Sequence, residues 1–161
     1  MQPIKTILVP TDFSIPAERA LAYARDLADA YGASLHLLHV IEDPFAGGVY
    51  MGMASAPPEG YFEQLDQQSR ARLAALLTDE QQKKYAAVCA TRMGYAATEI
   101  LDYVGNHGAI DLIVIATAGR GAISRMLLGS VTDKIVRTAP CPVLTVHPHD
   151  RQDASEARHA A

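Results

Sequence analysis

Cysteine is scarce: Cys89 and Cys141 are the only two, too few for a disulfide framework, and they do not form a CxxC pair. Both are expected to be reduced and structural. No apolar stretch approaches the ~20 residues needed to span a bilayer, and Met1-Gln2-Pro3 leads straight into a strand-like segment without a basic region and signal-type core. A cytoplasmic protein with no membrane partner is expected. Positive charge is also short, with 14 Lys and Arg against 18 Asp and Glu for a net charge of −4, which argues against general affinity for nucleic acid. Internal repeats and composition shifts are absent. What remains is a chain of 161 residues, 49% apolar and 20% charged, with 11 Gly and 9 Pro, a composition that excludes disordered and collagen-like classes. One domain over residues 1–148 is expected, and His149 to Ala161, without apolar periodicity, read as a loose tail.

Strand and helix patterns alternate along the chain. Ile4 to Pro10, Ser34 to Ile41, Ala87 to Met93, Leu112 to Ala116 and Val143 to Val146 read as strands, several of them apolar throughout, as parallel strands covered on both faces are. Between the first two, Ser14 is a candidate N-cap, Pro16 fits the first turn, and Ala17, Ala20, Leu21, Ala24, Leu27, Ala28 and Tyr31 recur at helical spacing before Gly32. Tyr61, Phe62, Leu65, Leu73, Leu76 and Leu77 support a further helix, and Thr78-Asp79-Glu80-Gln81 has the form of a capping box. Ile100, Leu101 and Val104 mark another helix, ending around Gly105 to Gly108. Ser130 and Asp133 form a second capping-box signature, with Val131, Ile135 and Val136 on the buried side. Five strands in alternation with helices predict an α/β layer fold with right-handed crossovers. From Asp43 to Gly60 the pattern dissolves into a long loop, in which Tyr50, Met51 and Met53 either cover a ligand or partner or belong to an ordinary loop.

The segment from Ala116 through Gly119-Arg120-Gly121 to Gly129-Ser130 follows a buried strand and ends at a helix start. Glycines free backbone N–H groups to face a ligand, and a helix start adds unpaired donors and partial positive charge, a combination that suits phosphate. From 119 to 137, Arg120, Arg125, Lys134 and Arg137 stand against Asp133 alone, a basic island in an acidic protein. A plain turn followed by a capped helix fits the same residues. The segment is neither a Walker A loop, for want of Gly-Lys-Ser or Gly-Lys-Thr, nor a dinucleotide fingerprint, for want of the third glycine. His36 and His39, three apart on a strand, fall on opposite faces and cannot chelate one metal. His147 and His149 flank Pro148 at the tail without Cys beside them, a poor pattern for a structural zinc site. No residue is singled out as catalytic or metal-ligating.

From Ile4 to His147 the chain resembles the universal stress protein family. The resemblance rests on Ile7-Leu8-Val9-Pro10-Thr11-Asp12, on Gly119-Arg120-Gly121 with Leu127-Leu128-Gly129-Ser130-Val131, and on Ala139-Pro140-Cys141-Pro142-Val143. ATP-binding members carry Gly, two residues, Gly, nine residues, then Gly followed by Ser or Thr; here Gly119 and Gly129-Ser130 fit and Ala116 replaces the first glycine. Alanine there admits a close backbone approach at negative φ but adds a methyl group. The resemblance implies an open, doubly wound five-stranded parallel sheet of order 3-2-1-4-5, helices on both faces, and a crevice where strands one and four diverge. It further implies a nucleoside bordered by Pro10, Thr11 and Asp12, with Asp12 toward the ribose or a metal-associated group. The Val40 backbone would lie near adenine, Ile115, Ala116 and Thr117 would form the turn, and Gly119, Arg120, Gly129, Ser130 and Val131 would meet phosphate. ATP, with or without Mg, is the expected ligand, and a homodimer through the last strand is the expected assembly.

Three functions compete. The first is a nucleotide-responsive stress-response module that changes its surface or partners. The second is an ATP hydrolase, slow because Asp12 has no second acid and no P-loop Lys beside it. The third is a nucleotide-free interaction protein, favoured by Ala116.

Overall fold

The computed structural model describes residues 3–43, 57–107, 110–117 and 129–147. Tyr50, Met51 and Met53 of the long loop, the Gly119, Arg120 and Arg125 positions, and His149 to Ala161 lie outside the described residues.

In chain order the elements are β1 (Thr6–Pro10), α1 (Ile15–Tyr31), β2 (Ser34–Ile41), α2 (Tyr61–Ala75), α3 (Asp79–Lys84), β3 (Val88–Met93), α4 (Ala96–Asn106), β4 (Leu112–Ala116), α5 (Ser130–Thr138) and β5 (Val143–Val146). All strand pairings are parallel and the sheet order is β3-β2-β1-β4-β5. The expected order holds, and with it the divergence of the chain between β1 and β4.

Strand alternation builds two core layers. Ile7, Val9, Leu35, Leu37, Leu112 and Val114 face one side, where they meet Ala20, Leu21, Ala24 and Ala28 of α1 and Leu73 of α2. Leu8, Leu38, Ile113 and Ile115 face the other, against Ile100, Tyr103 and Val104 of α4 and Ile135 of α5. Helices therefore cover both faces, which is why β4 reads as an unbroken apolar run: every one of its five residues is buried. Each fully buried Leu or Ile contributes about 1.5–3 kcal/mol relative to exposure. The small stripe of α1 lets that helix approach the sheet closely. Cys89 packs on the first layer and Cys141 on the second, and both are free thiols, so the sheet itself separates them.

Local signals place most boundaries. Ser14 caps α1, its Oγ accepting from the Ala17 N–H, Pro16 sits in the first turn, and Gly32 closes the helix in the left-handed conformation. The Thr78–Gln81 capping box forms with both reciprocal bonds. β1 starts at Thr6 rather than Ile4 because the Lys5 and Thr6 N–H groups donate to the Asp111 carboxylate, at 2.8 and 3.0 Å. The capping-box expectation at Ser130 is corrected. The cap position is Gly129, whose carbonyl accepts from the Asp133 N–H at 2.8 Å, and Ser130 is the first helical residue. Asp133 turns instead to Arg137 one turn on, at 3.0 Å. Among the described residues no helix is long and apolar enough to cross a membrane.

Candidate functional site

The carboxyl ends of β1, β2 and β4 open into a cavity of about 640 Å³, within the range of small-molecule sites. It lies at the point where the sheet order reverses direction, the usual ligand crevice of an open α/β sheet. Pro10, Thr11 and Asp12 reach it from β1, Val40 from β2, Ile115 and Ala116 from β4, and Val131 from α5. Seven of the residues expected from sequence thus converge on one crevice. Thr117 turns away toward β5: its N–H donates to the Val146 carbonyl at 3.0 Å and its Oγ1 lies 3.2 Å from His147 Nδ1. Gly129 and Ser130 stand at the start of α5, where the Gly129 N–H donates to the Thr117 carbonyl at 2.8 Å.

The loop after β1 is heavily tied. Asp12 Oδ1 accepts from the Ser14 N–H at 3.0 Å and from the Ser14 hydroxyl at 2.5 Å, while Thr11 Oγ1 accepts from the Phe13 N–H at 3.0 Å. Phe13 between them has φ 61°, a left-handed conformation costly for an aromatic residue. Its ring pays that strain back through contacts: the Arg72 guanidinium carbon lies 3.9 Å from the ring centroid, and the His39 ring 4.4 Å away on centroids. His39 Nδ1 lies 2.8 Å from the Thr11 carbonyl oxygen. A carbonyl only accepts, so Nδ1 carries the proton. The tight side-chain turn keeps Asp12 at the crevice.

Ala116, the departure from the family glycine pattern, is the last residue of β4 and does not have positive φ; Phe13 and Ala86 are the non-glycine residues that do among those described. It belongs to the apolar layer under α1 and its carbonyl accepts from the Thr132 hydroxyl at 2.8 Å. An alanine therefore fits this backbone without strain.

Sequence reasoning missed the wall supplied by α2. Tyr61, Leu65, Gln68, Ser69 and Arg72 line the cavity. Their spacing keeps one helical face, but the mixture of polar and apolar types hides it from a search for apolar stripes. α2 is fixed over the sheet by Asp66, which accepts from the Thr91 hydroxyl of β3 and pairs with Arg70 at 2.7 Å. The Arg70 bond first, then the Thr91 bond, hold the Asp66 carboxyl below its ordinary pKa. His39 and Glu42 also reach the cavity. The basic island, by contrast, does not gather there as a whole. Arg137 sits in the last turn of α5, paired with Asp133 and exposed, so it is spent at the far end of that helix. His36 and His39 do lie on opposite faces: His36 meets Tyr103 of α4, and His39 meets Phe13.

Comparisons with known proteins agree with this geometry. A family model described as the universal stress protein family matches residues 3–147. A universal stress protein of Thermus aquaticus is 36% identical over 147 residues, covering 88% of this chain and 98% of its own. The solved universal stress protein UspA of Lactobacillus plantarum superposes with a TM-score of 0.71 at 28% identity, over 91% of this chain and all of its own. A universal stress protein solved in complex with cAMP superposes at 0.62 and 23% identity over 91% of this chain and 99% of its own. One from Archaeoglobus fulgidus in complex with dAMP gives 0.54 and 20%, over 90% and 98%. On the family match along nearly its whole described length, with the fold and crevice to go with it, this chain belongs to the universal stress protein family.

Proposed function

We propose that this protein is a nucleotide-responsive regulatory module that binds an adenine nucleotide, ATP first, at the crevice between β1 and β4. The observation that carries the reading is the meeting of Asp12, the Val40 segment and the start of α5 around one cavity of about 640 Å³ at the switch point. The cAMP and dAMP complexes of similarly folded proteins support adenine as the base. Phosphate falls to the α5 start, where Ser130 and Val131 offer backbone N–H groups, Gly129 leaves room for a close approach and the helix dipole favours an anion; Gly119 and Arg120 are the further candidates from sequence. A Mg ion arriving with the phosphates commonly needs only one or two protein carboxylates, and Asp12 lines the cavity. No lysine lines it among the described residues, so hydrolysis is at most slow and output comes from altered surface or partners. The same reading has the protein acting in the cytoplasm as a homodimer paired through β5, which covers an open sheet edge.

Freshly purified protein is denatured and the released small molecules are identified by mass spectrometry, alongside calorimetric titration with ATP and Mg²⁺. Release of an adenine nucleotide or saturable binding supports the reading. Neither one, in a folded protein, leaves an empty interaction module in its place. Rapid turnover abolished by Asp12→Ala would instead identify a hydrolase.

A further inference from the structure

Along the carboxyl edge of the sheet, β4, β1 and β2 are consecutive neighbours. With phosphate at the α5 start beside β4 and sugar at Asp12 on β1, the third part of a nucleotide, its base, falls at the end of β2. α2 packs on β2 and β3, in the core layer opposite to α5. The side chains of α2 that line the cavity therefore stand at the base end and away from the phosphates.

Arg72 is the basic residue on that wall. Arginine at the end remote from the phosphates has no anion of the ligand to neutralise. Among the described residues no carboxylate forms an ion pair with it. Its guanidinium instead lies over the Phe13 ring at 3.9 Å, on an aromatic pair completed by His39. That pair is anchored to the very loop that holds Asp12, through the His39 bond to the Thr11 carbonyl. A guanidinium is planar, weakly hydrated and attracted to π faces, so one that rests on a ring and borders a cavity is a platform for a second π system.

We propose that Arg72 is a base-contacting residue of the nucleotide site, with its guanidinium stacked between Phe13 and the ligand's nucleobase. The proposal rests on the nucleotide-binding reading above and adds a contact outside the family's glycine motif. It gives α2 a direct role in recognising the base, with Phe13 as the backing of the platform.

The test is calorimetric or competitive binding of adenosine, AMP and ATP to the parent protein, Arg72→Ala and Arg72→Lys, each with a thermal melt. Arg72 is exposed and its packing contact is the Phe13 ring, so both variants are expected to stay folded and to lose at most the stability of that one contact. Arg72→Ala is expected to weaken all three ligands by the same factor, about tenfold. Arg72→Lys keeps the charge without the planar group and is expected nearer to Ala than to the parent. Unchanged affinity, full rescue by Lys, or a loss that grows from adenosine to ATP would overturn the proposal while nucleotide binding stands. If the parent protein binds none of the three, the nucleotide reading itself fails and takes the proposal with it.

Discussion

The Thr132 hydroxyl donates to the carbonyl oxygen of Ala116 at 2.8 Å, tying the first turn of α5 to the last residue of β4. Thr132 is 4% exposed, so the bond is shielded from water. Thr132→Val keeps the shape and removes the donor. The expected loss is about 1–2 kcal/mol, read as a lower urea midpoint with an unchanged slope. Nucleotide affinity should fall with it, because the bond orients the helix start. An unchanged midpoint would show that the tie adds nothing to stability.

Asp12 holds a turn with Ser14, the proposed function gives it a ligand contact as well, and two substitutions separate the two. Asp12→Asn retains an oxygen that accepts from Ser14 and is expected to melt near the parent. Asp12→Ala also loses the turn, at a cost of about 1 kcal/mol. Both remove the charged acceptor for a ligand hydroxyl or metal and should weaken ATP about tenfold or more. Binding by Asp12→Asn at parental affinity would remove the carboxylate from the ligand site.

Two glycines should respond in opposite ways. Gly94 has φ 146°, and an added Cβ would lie 2.7 Å from Glu99 Oε1, so Gly94→Ala is expected to lower stability by about 1 kcal/mol or more. Gly129 has φ −59° and, among the described residues, its Cβ would meet only the Thr117 carbonyl oxygen, at an ordinary 3.5 Å. Gly129→Val should therefore melt near the parent and lose nucleotide affinity by crowding phosphate. Unchanged affinity in that variant would reject the phosphate placement.

Acid should loosen the end of the sheet remote from the crevice. Burial first, then the nearby His107, hold the His36 pKa below its ordinary value. His36 Nδ1 meets the Tyr103 hydroxyl at 3.0 Å, His107 stacks on Tyr103, and the Arg92 guanidinium lies over the same ring, so no carboxylate of this cluster awaits an imidazolium. The unfolded chain takes up the proton first as pH falls. Stability from this group is thus full above about pH 6.5 and declines below it. Melting temperature followed from pH 7.5 to 5 should drop less steeply in His36→Gln than in the parent; equal slopes would exclude His36 as a source.

The last strand supplies the assembly test. Leu144 of β5 is 38% exposed on an outer strand. Leu144→Lys should shift a homodimer toward monomer in sedimentation, as charge on an edge strand opposes pairing. A parent that sediments as a monomer, or a variant that stays dimeric, would remove β5 from the interface.

Much of the architecture was legible because strong signals are local. β2, β4 and β5 have the bounds their apolar runs announce, and Ser14, Gly32 and the Thr78–Gln81 box punctuate the helices as their chemistry dictates. Strand order was different: pairing is non-local, and only the family resemblance supplied it. Within the crevice, the β1 and β4 ends were legible from motif residues, whereas Arg72, Ser69 and Gln68 were not. They sit on a helix whose cavity face mixes them with Tyr61 and Leu65, so no apolar stripe marks it. The Ser130 cap failed because the helix starts one residue earlier, with Gly129 at the cap position and no side-chain bond there.

The parallel pairing of β4, β1 and β2 also makes the sheet a ruler. Neighbouring strands lie about 4.8 Å apart, so the three strand ends mark off about 10 Å across the crevice floor. In the proposed site each strand end would meet one portion of an elongated ligand, and length would become a criterion of selection before any hydrogen bond is made. A molecule much shorter than this span can engage two strand ends but not the third, however well its charge fits the helix start.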